Sequence, residues 1–182
     1  MEMKDVRNDQ NLVHTLAFFG GELNNIGHES SNPTTTDLPE QLVRDIIEYE
    51  PSAVHKLDIE GNLPLHMAAA SGNVIMIEEL GRRFPGAASV QNHYGLLPLH
   101  LAVISYQDLL ATTTTYTIFS VELLLEMFPG AVGVKDNDGN LPLHTAAAAL
   151  RGDDGARVVN LLLKAYHDWS MTTARVDSNP PP

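Results

Sequence analysis

Asp58-Ile-Glu-Gly-Asn-Leu-Pro-Leu-His66-Met-Ala-Ala-Ala70 returns as Asn92-His-Tyr-Gly-Leu-Leu-Pro-Leu-His100-Leu-Ala-Val103, and again as Asp136-Asn-Asp-Gly-Asn-Leu-Pro-Leu-His144-Thr-Ala-Ala-Ala148. Self-similarity of this kind marks a repeat architecture and decides the fold before any local propensity does. A second block recurs in step with the first: Glu50-Pro-Ser-Ala-Val54, Phe84-Pro-Gly-Ala-Ala88 and Phe128-Pro-Gly-Ala-Val132. The motif histidines stand 34 residues apart from His66 to His100 and 44 apart from His100 to His144, so ten residues are added in that unit, near 106–116. Toward the N-terminus, Val13-His14-Thr15-Leu16-Ala17 reads as a fainter copy with an insertion at 20–37, where Asn24-Asn25, Ser30-Ser31-Asn32-Pro33 and Thr34-Thr35-Thr36 are loop formers.

Within a unit, Pro64, Pro98 and Pro142 sit where a first helical turn tolerates a missing N–H, and a glycine shortly before them supplies a tight turn. Leu65, Ala68 and Ala69 then share one face of a first helix, and the small alanines let a neighbouring helix come close. Gly72-Asn73 ends that helix. A second helix repeats an apolar face as Ile77, Leu80 and Phe84, then Val121, Leu124, Leu125 and Phe128, then Val159, Leu162, Leu163 and Tyr166, with Val43, Ile46 and Ile47 in the faint first unit. Each helix pair exposes apolar surface on both sides, so stacking must bury it.

The chain resembles the ankyrin-repeat family, whose motif runs D-x-x-G-x-T-P-L-H-x-A-A and is followed by a Val/Leu-rich second helix. The resemblance implies an all-α solenoid of about four helix-turn-helix units with short turn fingers. It divides the chain into a degenerate unit at 1–50, three repeats at 51–168 and a flexible tail at 169–182. The motif residues Leu63, Pro64, Leu65 and His66, with Leu97, Pro98, Leu99 and His100 and with Leu141, Pro142, Leu143 and His144, are structural on this reading. Leu replaces the family's Thr at Leu63, Leu97 and Leu141, which removes a capping hydroxyl; Asn62 and Asn140, one residue earlier, are candidates to cap instead, and Leu96 carries no capping group.

Composition narrows the chemistry. There are 182 residues and no cysteine, which removes disulfides, Cys-ligated zinc, iron–sulfur clusters and thiol nucleophiles. The net charge of −12 opposes a phosphate backbone, so neither nucleic acid nor an anionic membrane is an expected partner. Neither a secretory signal nor an apolar stretch of spanning length is seen, and a soluble protein of cytoplasm or nucleus is expected. Zinc ligands must lie ~2.0–2.1 Å from the ion, whereas equivalent histidines of stacked helices are about 8–10 Å apart; no metal or other cofactor is expected. No Gly-x-Ser-x-Gly, Ser-x-x-Lys or Walker-type loop is present, and Glu78-Glu79 and Asp153-Asp154 read as solvated charges, so the chain is not expected to be an enzyme. The threonine clusters 34–36 and 112–115 read as polar loops open to phosphorylation.

Repeat solenoids hold their stacked core constant and vary an exposed edge, which points to protein recognition. Carried onto this chain, the family's binding surface falls on Ile59, Glu60 and Asn62, on His93, Tyr94 and Leu96, and on Asn137, Asp138 and Asn140. Ala70-Ser71, Ile104-Ser105 and Ala148-Ala149 continue it along the first helices. The expected function is a non-catalytic scaffold or adaptor that is a monomer and binds another protein, with a slight preference for a basic surface. The alternative is an assembly subunit, packed permanently in a complex or self-associating through an open end of the stack.

Overall fold

The computed structural model describes residues 44, 45, 47–104, 114–149 and 152–177. The motif of the faint first unit around His14, the insertion at 20–37, Ser105 and the insertion residues 106–113 lie outside them. Three units stack in chain order. Helices α1 (Pro64–Ser71) and α2 (Val74–Arg83) form the second unit, α3 (Pro98–Ile104) and α4 (Thr114–Met127) the third, and α5 (Pro142–Ala149) and α6 (Gly152–Asp177) the fourth. Short 3-10 turns at Pro51–His55, Pro85–Ser89 and Pro129–Gly133 carry the chain from each second helix toward the next finger. Every described regular element is helical.

The helices begin and end where local chemistry dictates. Pro64 opens α1 without wasting an N–H, and Gly72 at φ +66° closes it in the left-handed region. Asn73 follows at once and caps α2, its side chain accepting from the Met76 N–H at 3.2 Å. The link is therefore a single turn, and α1 and α2 pack against each other. First helices pack on first helices, α1 on α3 and α3 on α5. Ala68, Ala69 and Ala102 are fully buried at these crossings. The core continues through Leu65, Ile77, Leu80, Leu99, Val121, Leu124, Val158 and Leu162 as one seam along the stack. Each such Leu or Ile contributes about 1.5–3 kcal/mol by leaving water.

Four sequence expectations change. Helix α1 is N-capped by Leu63, not Asn62. The Asn62 and Asn140 amides instead donate to the carboxylates of Asp58 and Asp136 at 3.0 and 3.3 Å. The tail expected from residue 169 is helical as far as Asp177. No Pro-Gly follows Tyr166 to stop α6, and the Trp169 ring covers Gly133, where an added Cβ would fall 2.2 Å from its Cη2. Thr114 and Thr115 belong to α4 and not to a loop. Glu79 is not solvated: its side chain is 4% exposed, and it accepts from Arg44 Nε and Arg82 Nη1, each at 2.8 Å. Burial pushes the Glu79 carboxyl up, but the Arg44 bond and the Arg82 and Arg44 charges outweigh it and hold its pKa below the ordinary value.

Candidate protein-binding surface

Each finger is built around its first residue. Asp58 Oδ1 accepts from the Glu60 and Asn62 N–H groups at 2.9 and 2.8 Å, Asn92 Oδ1 from Tyr94 and Leu96 at 3.0 and 2.9 Å, and Asp136 Oδ1 from Asp138 and Asn140 at 3.0 and 2.7 Å. Two backbone bonds close every finger, as in Gly61 N–H to Asp58 O and Asp58 N–H to Asn62 O. The glycine position must be left-handed, with φ of +78°, +74° and +84° at Gly61, Gly95 and Gly139. This Asp/Asn at the head of the finger is the organising residue that sequence reasoning left without a role. Its signal was present, because the position holds Asp, Asn and Asp in three units. Burial pushes the Asp136 carboxyl up, yet the bonds from Asn140 and Asp138 and the nearby His100 hold its pKa below the usual value.

The fingers pair with one another. The His93 N–H donates to Glu60 O at 3.0 Å, and the Asn137 N–H to Tyr94 O at 3.1 Å, one main-chain bond per step. Side chains reinforce the steps: Asn92 Nδ2 donates to Asn62 Oδ1 at 2.8 Å, Asn137 Nδ2 to His93 O at 2.9 Å, and Gln91 Nε2 to Lys135 O at 2.9 Å. Behind them the motif histidines lock the helices. In His66, His100 and His144 alike, Nδ1 accepts the N–H of the residue before the proline at 3.1 Å. Nε2 then carries the proton. It donates from His66 to Leu96 O at 3.2 Å and from His100 to Asn140 O at 3.3 Å.

With the backbone thus fixed, the tips divide. Ile59 (78% exposed), Glu60, His93, Tyr94 (56% exposed), Asn137 and Asp138 face solvent. Asn62 is turned inward at 3% exposure, spent on Asp58 and on the second finger. The structure brings Tyr94, Leu96, Asp138 and Asn140 together with Ile104 and His144 around a groove of about 420 Å³ between the third finger and the first helices. Ile59 and Glu60 lie outside that groove. Its wall is mixed in character: an aromatic ring and aliphatic side chains beside the carboxylates of Asp136 and Asp138. Among the described residues no three His, Asp or Glu side chains are grouped to hold one metal ion, and no helix is long and apolar enough to cross a membrane.

The family model for the ankyrin repeat matches residues 60–92, which run from Glu60 of the first finger through α1 and α2 to Asn92 of the second. No curated protein matches the chain.

Proposed function

We propose, from the premise that this chain is built of ankyrin repeats, whose general work is protein–protein interaction, that it is a non-catalytic intracellular module that binds another protein along its finger edge and the groove beside it. One observation carries the reading. The side chains that build each finger and lock its helix recur, Asp or Asn at the head and Leu-Pro-Leu-His behind it, whereas the exposed tips Ile59-Glu60, His93-Tyr94 and Asn137-Asp138 share neither charge nor shape. A residue that serves the core of the stack must meet the same demand in every unit; the solvent-facing tips Ile59, Glu60, Tyr94 and Asp138 are free of it. Tyr94 is the centre of the surface, since an exposed aromatic beside an aliphatic and acidic groove has the amphipathic character of an interface anchor. Asp136 and Asp138, with the chain's net charge of −12, favour a basic partner.

The test is affinity capture from cell extract with the wild-type chain and a Glu60→Ala, Tyr94→Ala, Asp138→Ala variant, compared by quantitative mass spectrometry. The variant is expected to fold normally and to lose the specific partners by tenfold or more, with wild-type capture weakening as salt rises. Equal capture by both chains would place recognition away from the fingers.

A further inference from the structure

The groove beside Tyr94 is built from two kinds of surface. Leu96 at the root of the second finger, Ile104 at the end of α3 and Ala148 on α5 give it an aliphatic side. The third finger gives it Asp136 and Asp138, and among the residues that line it there is no lysine or arginine. The two carboxylates differ in what they leave open. Asp136 is engaged by its own finger: Oδ1 takes the Asp138 and Asn140 N–H groups, and Oδ2 takes the Asn140 amide. Asp138 is exposed, and its carboxylate accepts no bond among the described residues. Glu60, at the same place in the first finger, folds back to take the Asn62 amide at 3.2 Å; the shorter Asp138 makes no such return.

Tyr94 stands beside that carboxylate. Its carbonyl takes the N–H of Asn137, the residue before Asp138, so ring and carboxylate rise from adjoining fingers onto one groove. The ring is more than half exposed and stacks on no other ring among the described residues. An aliphatic side, an open aromatic face and an unanswered carboxylate are the complement of one side chain. Arginine has a methylene stem that covers apolar surface, a flat guanidinium that stacks on aromatic rings, and a fork of N–H donors that matches a carboxylate. Lysine supplies the charge without the plane, and its ammonium is more strongly hydrated.

On the premise of protein recognition along the finger edge, on which this rests, we infer that the partner presents an exposed arginine and that this side chain fills the groove, its stem along Leu96, Ile104 and Ala148, its guanidinium flat on Tyr94 and forked onto Asp138. Asp136 adds negative charge without leaving its finger. The test is selection of a phage-displayed library of random short peptides on the full chain. Peptides that bind are expected to share an arginine, and each is then synthesised with that arginine and with lysine in its place. In fluorescence anisotropy the lysine peptide should bind the wild type about tenfold more weakly. The chain's net charge of −12 attracts both peptides alike, so the comparison isolates the shape of the site. Asp138→Asn and Tyr94→Leu should each weaken the arginine peptide by about tenfold and narrow the gap between the two peptides. Neither side chain takes part in the main-chain bonds of the fingers, so the helical spectrum and Tm of both variants should be unchanged. Selected peptides with no common arginine, a lysine peptide of equal affinity, an arginine preference that survives Asp138→Asn, or no binding peptide at all would each overturn the inference. Peptides that lack arginine yet lose binding to the Glu60→Ala, Tyr94→Ala, Asp138→Ala variant would overturn it while upholding recognition along the fingers, so the two can fail separately.

Discussion

His100 Nε2 lies 3.3 Å from the carbonyl oxygen of Asn140, forty residues away, while the same ring's Nδ1 takes the N–H of Leu97. One buried imidazole thus fixes the start of its own helix and the root of the next finger. The ring is fully buried, so neither bond is shared with water.

His100→Ala should therefore leave the Leu97 N–H and the Asn140 carbonyl unpaired beside a new void, at a cost of roughly 2–4 kcal/mol. His144→Ala, whose exposed ring makes only the Leu141 bond among the described residues, should cost less than about 1 kcal/mol. Urea titrations of the two variants check the contrast. Equal losses would mean that the bond to the following unit contributes nothing.

The pH dependence follows from the same ring. Burial pushes the His100 pKa down, and the Asn140 carbonyl and the Asp136 charge offset only part of that. Between the unfolded value near ~6.5 and the lower folded value, the unfolded chain binds the extra proton, so stability is complete above the unfolded pKa and falls as pH drops through this window. His100→Asn should flatten the slope of unfolding free energy between pH 7 and 5. Identical slopes would assign the acid sensitivity to other groups.

Glu79 gives a second, lower window. Its folded pKa lies below the ordinary glutamate value, so its contribution is present above that value and fades as pH falls through the lower folded one. Glu79→Gln should cost about 1–2 kcal/mol at pH 7 through the weakened bonds to Arg44 and Arg82, and the difference from wild type should shrink below pH 4. A cost that stays constant with pH would mean that packing, and not charge, holds the side chain there.

Ser120 is fully buried, and its Oγ has no hydrogen-bond partner among the described residues. The equivalent positions hold Met76 and Val158, both buried and apolar. Ser120→Ala should raise stability by about 1 kcal/mol by removing an unsatisfied hydroxyl, seen as a higher Tm in calorimetry. A lower Tm would show that the hydroxyl is satisfied in solution.

The units, their order and the face of each helix were legible because stacking repeats one set of demands, and residues under the same demand recur. Leu-Pro-Leu-His is such a set. What the sequence hid is whatever depends on partners in another unit. Glu79 reads as one of two adjacent carboxylates, and only folding brings Arg44, thirty-five residues away, to its oxygen. Asn62 has the right residue type to cap a helix, but Asp58 captures its amide first, within a turn whose geometry Gly61 dictates. The length of α6 was legible in principle: the stop signal present at Phe84 and Phe128 is missing at Tyr166. The inward tilt of Trp169 over Gly133 was not, because it depends on a bare backbone in the preceding turn.

The finger ladder, with its single main-chain bond from His93 to Glu60 and from Asn137 to Tyr94, works as a ruler whose marks carry no meaning of their own. The backbone sets the pitch, and the exposed side chains of Ile59, Glu60, Tyr94 and Asp138, which make none of the bonds between fingers described above, can be exchanged without disturbing it. Substitutions two fingers apart, as at Glu60 and Asp138, should then change affinity independently, whereas neighbouring tips, whose backbones bond directly, should couple. A new specificity can then be assembled from alternate marks, with changes on neighbouring marks chosen together.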